Sequence, residues 1–338
     1  MVAPSPSFAH LTHLTDAVGI FEHAKGTEVR LEHGYCTDDN ARLLVVASRE
    51  PNPSAAVRDL ARVSMRFVAD AQRVDGRVRN RRAANARWQD RAGVEDCWGR
   101  ALWGLGTAAA RDPSPSRRLE AMARFEHSAR QRSPWSHAMA FAGLGAAEVL
   151  AAEPKHPLAR ALLADAADRV GVPDVDDQWP WPEDRLTYAS PVLAEVLVAA
   201  GVLLDRDDWL HRGLDRLTWL VEQETRDNHL SVTPVGGWSR GESRPGFDQQ
   251  PIEVAALADA CARAAVATGD NRWAVVVGDA VAWFLGDNDS GIVMWDAATG
   301  GGFDGLTASD ANRNEGAEST LAFVATMQHA RNLVAVGA

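Results

Sequence analysis

Six times along this 338-residue chain, a polar cluster carrying an acid, a histidine or a tyrosine runs straight into an apolar segment with helical spacing. The clusters are centred on Asp38, Asp96, His137, Tyr188, Gln250 and Glu315, separated by 58, 41, 51, 62 and 65 residues. Each gap accommodates two helices and two loops. Apolar residues recur at i, i+3 and i+4 after each cluster, as in Leu43, Val46, Ala47 and in Val254, Leu257, Ala258, Cys261, which is the pattern of a helix with a buried face. A second apolar-periodic run follows, for example Val57, Leu60, Ala61, Met65, Val68 or Trp273, Val276, Ala280, Phe284. Breaks such as Pro51-Asn52-Pro53 and Thr268-Gly269-Asp270 punctuate the pairs. The last run, Leu321, Val324, Met327, takes as partner the N-terminal segment from His10 to Phe21. Residues 227–247, rich in Gly, Ser and Pro, read as a long loop or small hairpin.

An open solenoid of helical pairs is the alternative to a closed ring, but solenoid repeats hold a near-constant period. Unequal gaps with chemical clusters at matching phases point instead to an all-α (α/α)6 toroid. We find no linker composition that divides the chain, so residues 1–338 are expected to form a single domain. The six clusters are then expected at one concave end, in the largest and most carboxylate-rich pocket.

The net charge of −11 argues against nucleic acid or an anionic membrane surface as partner. No apolar stretch is long enough for a membrane span. No basic-then-apolar leader is visible. The three cysteines Cys36, Cys97 and Cys261 are far apart and read as reduced thiols, which fits a cytoplasmic protein. Phosphate-loop, dinucleotide, nucleophile-elbow and zinc-protease motifs are absent, and no metal or cofactor is expected.

The stretch Gly34-Tyr35-Cys36-Thr37-Asp38-Asp39-Asn40-Ala41-Arg42 resembles the opening signature of a domain often attached to bacterial glycosyltransferases, within the six-hairpin glycosidase-like superfamily. Trp181-Pro182-Glu183-Asp184-Arg185-Leu186-Thr187-Tyr188, Gln249-Gln250-Pro251-Ile252-Glu253 and Asn314-Glu315-Gly316-Ala317-Glu318-Ser319-Thr320-Leu321 extend the resemblance over nearly the whole chain. Ala189-Ser190-Pro191 departs from the pattern, in a stretch that bears on specificity if it touches substrate. The resemblance implies an (α/α)6 fold and carbohydrate chemistry, with an oligosaccharide or polysaccharide as ligand and a separately encoded glycosyltransferase as a partner.

First-turn carboxylates also stabilise helices simply by opposing the dipole. Glu318, three residues after Glu315, has a capping reading too. Weighed against these readings, Asp39, Glu253 and Glu318 form the catalytic shortlist for a glycoside hydrolase-like enzyme, in which two carboxylates flank the scissile bond. Tyr35, Asp38, Arg42, Glu95, Asp96, Trp98, His137, Trp181, Glu183, Tyr188, Gln249, Gln250, Asn314 and Glu315 are the substrate-binding candidates. A sugar epimerase or isomerase on the same scaffold needs histidine acid/base groups, and His137 alone lies within the clusters. A glycan-binding module is the reading without catalysis.

Overall fold

The computed structural model describes residues 3–172, 176 and 178–337, with side chains described to residue 332. Its helices, in chain order, are α1 (Ala9–His13), α2 (Thr37–Ser48), α3 (Ala55–Ala71), α4 (Asp96–Arg111), α5 (Pro115–Ser128), α6 (Ser136–Ala152), α7 (Pro157–Val170), α8 (Pro191–Leu203), α9 (Asp207–Gln223), α10 (Pro251–Thr268), α11 (Asn271–Phe284) and α12 (Ala317–Gly337). Local chemistry sets their ends. Ser54, His156 and Asp270 side chains accept from the first-turn N–H groups of α3, α7 and α11. Prolines open α5, α7, α8 and α10, where the missing N–H costs nothing. Gly269, at φ 68°, closes α10 in the left-handed conformation.

The even-numbered helices form an inner ring. α2 packs on α4, α4 on α6, α6 on α8, α8 on α10, α10 on α12, and α12 returns to α2. Gln328 Nε2 donates to Val46 O at 2.9 Å across that last seam. The outer helices α3, α5, α7, α9 and α11 each back the inner helix before them, and the short α1 touches α12. The sequence patterns follow from the two positions. Inner helices are enclosed on all sides, so His137 to Leu150 in α6 and Pro191 to Gly201 in α8 are buried without a break. The outer α3 buries Val57, Leu60, Ala61 and Val68 while Arg58, Asp59, Arg62 and Arg66 face water.

Among the described residues, five short antiparallel strand pairs lie in the connections. Two of them position the site: Tyr35–Cys36 pairs with Arg81–Arg82, and Gly305–Leu306 pairs with Ala311–Asn312. Residues 227–247 contain part of one hairpin, Thr225–Arg226 with His229–Leu230, and the strand Trp238–Ser239, which pairs back to Arg185–Leu186. Among the described residues, no helix is long and apolar enough to cross a membrane.

Candidate active site

The amino ends of the inner helices surround a cavity of about 440 Å³ lined by Glu22, Asp38, Asp39, Arg42, Arg81, Asp96, Arg100, Tyr188, Gln250, Asp304 and Glu318, among others. Its wall on the α2 side begins at Cys36, whose Sγ accepts from Asp39 N and so caps the helix. That turn carries Asp38 and Asp39 on adjacent faces. Asp39 Oδ1 accepts from Arg42 Nη2 at 2.8 Å, and Oδ2 accepts from the Cys36 thiol at 3.1 Å. The other arm of the same guanidinium, Nη1, donates to Glu318 Oε2 at 2.6 Å, from the first turn of α12. One arginine therefore holds two carboxylates from opposite sides of the ring seam.

Their environments differ. Burial pushes the Asp39 carboxyl up to about 6, against the pull of Arg42. For Glu318, burial also acts upward, but Arg42 and Arg100 outweigh it and hold the group below the usual carboxylate range. Glu318 keeps 42% of its side chain open to the cavity.

On the α4 side, Asp96 Oδ2 accepts from Tyr188 Oη at 2.5 Å. The Tyr188 ring lies 4.7 Å from that of His137, and His137 Nδ1 is 4.0 Å from Glu183. Burial lowers the pKa of His137 and favours the neutral ring. Arg100 stacks on Phe141 at 4.2 Å, with Nε 3.5 Å from Asp38 Oδ1. Asp38 Oδ2 accepts from Asn80 Nδ2 at 2.8 Å. Several buried polar atoms here lack a hydrogen-bond partner: Asp38 Oδ1, Arg42 Nε, Arg100 Nε, His137 Nε2 and Glu253 Oε2. Such groups are costly to leave unmade, and hydroxyl-bearing ligands or water satisfy them.

The sequence candidates divide by placement. Asp38, Asp39, Arg42, Asp96, Tyr188, Gln250 and Glu318 line the cavity, and His137 and Glu183 adjoin it through Tyr188. Glu253 lies one layer behind, buried at the third position of α10, with Oε1 accepting from Ala189 N at 2.8 Å. Burial raises its pKa well above the ordinary value. Glu95 is exposed and does not line the cavity. Others sit elsewhere than expected. Trp98 turns away from the cavity and donates Nε1 to Ser128 O of α5. Tyr35 is fully buried with Oη donated to Asp16. Trp181 packs on Trp219 beneath the loop before α8. Gln249 is buried, accepting from Trp283 Nε1 and donating to Asp289. Glu315 is buried, accepting from Thr299 Oγ1 at 2.6 Å while its carbonyl meets His10. Asn314 Oδ1 accepts from Gly26 N, anchoring the N-terminal loop. These six hold the loops in place.

The acidic cavity is also not the largest concavity. A groove of about 840 Å³ lies on the outer wall between residues 3–6, α11 and α12. It occurs there because only the five-residue α1 stands where a sixth outer helix belongs. Sequence reasoning missed Arg81 and Asp304. They come from connections without a motif and are delivered by pairing: Arg81 opposite Cys36, and Asp304 accepting from Gly316 N and Ser319 Oγ. Glu22, Cys36 and Asp39 place ligand-type atoms within 4.8 Å of one another. However, the Cys36 thiol is held protonated by burial, and Arg42 occupies Asp39, so the trio is already satisfied internally.

No family model and no curated relative matches this sequence. Solved structures do match in fold. A sugar epimerase from a ruminal bacterium superposes with a TM-score of 0.73 at 11% identity, covering 95% of this chain and 94% of that one. Cellobiose 2-epimerase from Bacillus thermoamylovorans gives 0.72 at 10% identity, with 94% and 95% covered. An inactive variant of an α-1,6-mannanase of Salegentibacter, in complex with α-1,6-mannotetrose, gives 0.67 at 9% identity, with 96% of each chain covered. The chain thus shares its (α/α)6 toroid fold with these structures.

Proposed function

We propose that this protein is a carbohydrate-active enzyme of the glycoside hydrolase type, acting on an oligosaccharide or polysaccharide. One observation carries the reading: Asp39 and Glu318 share the Arg42 guanidinium in one cavity, while their surroundings move their proton affinities apart. Two carboxyls of unlike pKa are what acid/base cleavage of a glycosidic bond requires. Asp39 is protonated below about pH 6 and in that form delivers its proton to the glycosidic oxygen. Glu318 is ionised and takes the proton of the attacking water, or attacks the anomeric carbon itself. Asp38, Asp96, Arg100 and Gln250 supply acceptors and donors for sugar hydroxyls. Glu253 holds the Tyr188–Ala189 turn, through the Ala189 N–H.

The mannanase neighbour, inactivated by alanine at two consecutive aspartates, lends support, since Asp38 and Asp39 are consecutive aspartates in this cavity. The epimerase neighbours favour a second reading on the same scaffold. Against it, His23 is the one imidazole among the described residues lining the cavity. The test is incubation of a glycan panel in D2O. New reducing ends support hydrolysis. Deuterium gained at carbon 2 without chain cleavage overturns it in favour of epimerisation. Glycan binding without turnover favours a binding module that serves a separately encoded glycosyltransferase.

A further inference from the structure

Among the described residues, the large exposed hydrophobic side chains include only two aromatics, Trp135 at 61% and Tyr188 at 45%. Both stand at the same end of the toroid, immediately before the neighbouring inner helices α6 and α8. Exposure on this scale is not forced by loose backbone. Trp135 N donates to Ser133 Oγ at 3.1 Å, its carbonyl accepts from Met139 N, and the Arg169 guanidinium holds Pro134 O. The indole is thus presented on a rigid mount. Two residues further on, His137 packs its ring against Tyr188, and Tyr188 reaches Asp96 inside the acidic cavity. From the cavity, Tyr188 therefore leads to His137, and the exposed Trp135 indole stands two residues before His137 at the start of α6. Glu183 sits beside His137, which carries a buried Nε2 without a partner.

Flat aromatic faces beside isolated hydrogen-bonding groups match a pyranose ring, which is apolar on its C–H face and polar at its edge. The carboxylate of Glu183 disfavours an acidic sugar there. We propose that Trp135, Tyr188 and Glu183 form an outer subsite for the second and later units of a neutral oligosaccharide whose first unit occupies the acidic cavity. This rests on the carbohydrate reading above and deepens it. The ligand class is a chain, not a monosaccharide, running outward on the α6–α8 side.

The experiment is a binding series on the full chain. A glycan microarray covering neutral and acidic chains selects a ligand, and calorimetry then follows affinity from the monosaccharide through its longer homologues. The wild type is expected to gain about tenfold or more with the units that reach Trp135, the scale of one buried aromatic anchor. Trp135→Ala removes that gain and leaves monosaccharide affinity unchanged, and Trp135→Phe retains part of it. Equal chain-length dependence in the wild type and Trp135→Ala overturns the subsite alone. Preference for acidic chains overturns the neutral assignment. No binding to any glycan overturns the carbohydrate reading and the subsite with it.

Discussion

At the scale of single residues, Arg42 decides how the cavity is charged. It touches Asp39 and Glu318 at once, yet the two respond differently because Asp39 is fully enclosed and Glu318 opens to the cavity. Activity that needs protonated Asp39 is expected to fall as pH rises through about 6, while ionised Glu318 persists to below its ordinary 4.5. The same shift has a stability sign. A carboxyl raised on folding contributes stability that is present at low pH and lost as pH rises through about 6. Asp39→Asn and Glu318→Gln keep shape and remove the titration. Each should lower kcat by about 10²–10⁴-fold. Asp39→Asn should also abolish the alkaline limb of the rate profile, measured once a turned-over glycan is found. Near-normal turnover in both folded variants would remove these residues from the chemistry. Glu253→Gln serves as a comparison, since its side chain acts through Ala189 and should change KM more than kcat.

At the scale of elements, close approach in the inner ring depends on missing side chains. A Cβ on Gly145 would lie 2.2 Å from Leu102 O, and one on Gly106 would lie 2.1 Å from Gly145 O, so α4 and α6 meet backbone to backbone. Gly145→Ala is expected to destabilise by about 1–3 kcal/mol or more, because the obstacle is main chain and cannot rotate away. Gly278 in α11 has open space at the same position, so Gly278→Ala should stabilise by about 0.5–1 kcal/mol through helix propensity. Chemical denaturation of the pair checks both signs. The pairing of inner and outer helices was legible in the sequence, because each run repeats at helical spacing and the breaks carry Pro or Gly, except for Leu204-Asp205-Arg206 between α8 and α9. The cavity-lining part of the site was legible where its residues open a helix, as in Asp38, Asp39, Asp96 and Glu318. Trp98 and Gln249 misled because sequence marks a helix start but not its rotation, and a shift of one or two positions turns a side chain from cavity to core. Arg81 and Asp304 left no signal, since cross-strand pairing and a hairpin bring them in from loops.

At the scale of the whole molecule, the acidic cavity is one end of an axis whose other end is also charged. Below Arg42 and Arg100 runs an apolar shaft lined by Val46, Trp103, Phe141, Val192, Ile252 and Leu321. Beyond it, every inner helix or its carboxyl end contributes to a second polar cluster: Arg49, Arg111, Glu148, Glu195, Asp259, Arg263 and His329. In the sequence these residues are single charges in or beside apolar helices, and nothing in their spacing marks them as one cluster. Arg263 of α10 joins it together, with Nε 2.8 Å from Glu195 of α8 and Nη2 3.3 Å from Glu148 of α6. Arg49 and His329 meet on Asp259 at 2.7 and 2.5 Å, linking α2 and α12 to α10. Both glutamates are nearly inaccessible, so removal of Arg263 takes the hydrogen-bonded partner from buried Glu195, whose carboxyl is already pushed up to about 7 by burial and which then takes a proton, while Glu148 keeps Arg111. Breaking a buried pair from one side costs about 3–5 kcal/mol. Arg263 itself is 22% exposed, which places Arg263→Met near the lower end, about 3 kcal/mol. Replacing the partner as well, in Arg263→Met with Glu195→Leu, should recover most of that loss, since an apolar pair of similar volume tolerates burial better than a lone carboxylate. Thermal unfolding of the wild type, both single variants and the double variant closes the cycle. If the double variant is as unstable as the sum of the singles, the ring is held by packing at this end and not by the ion pair.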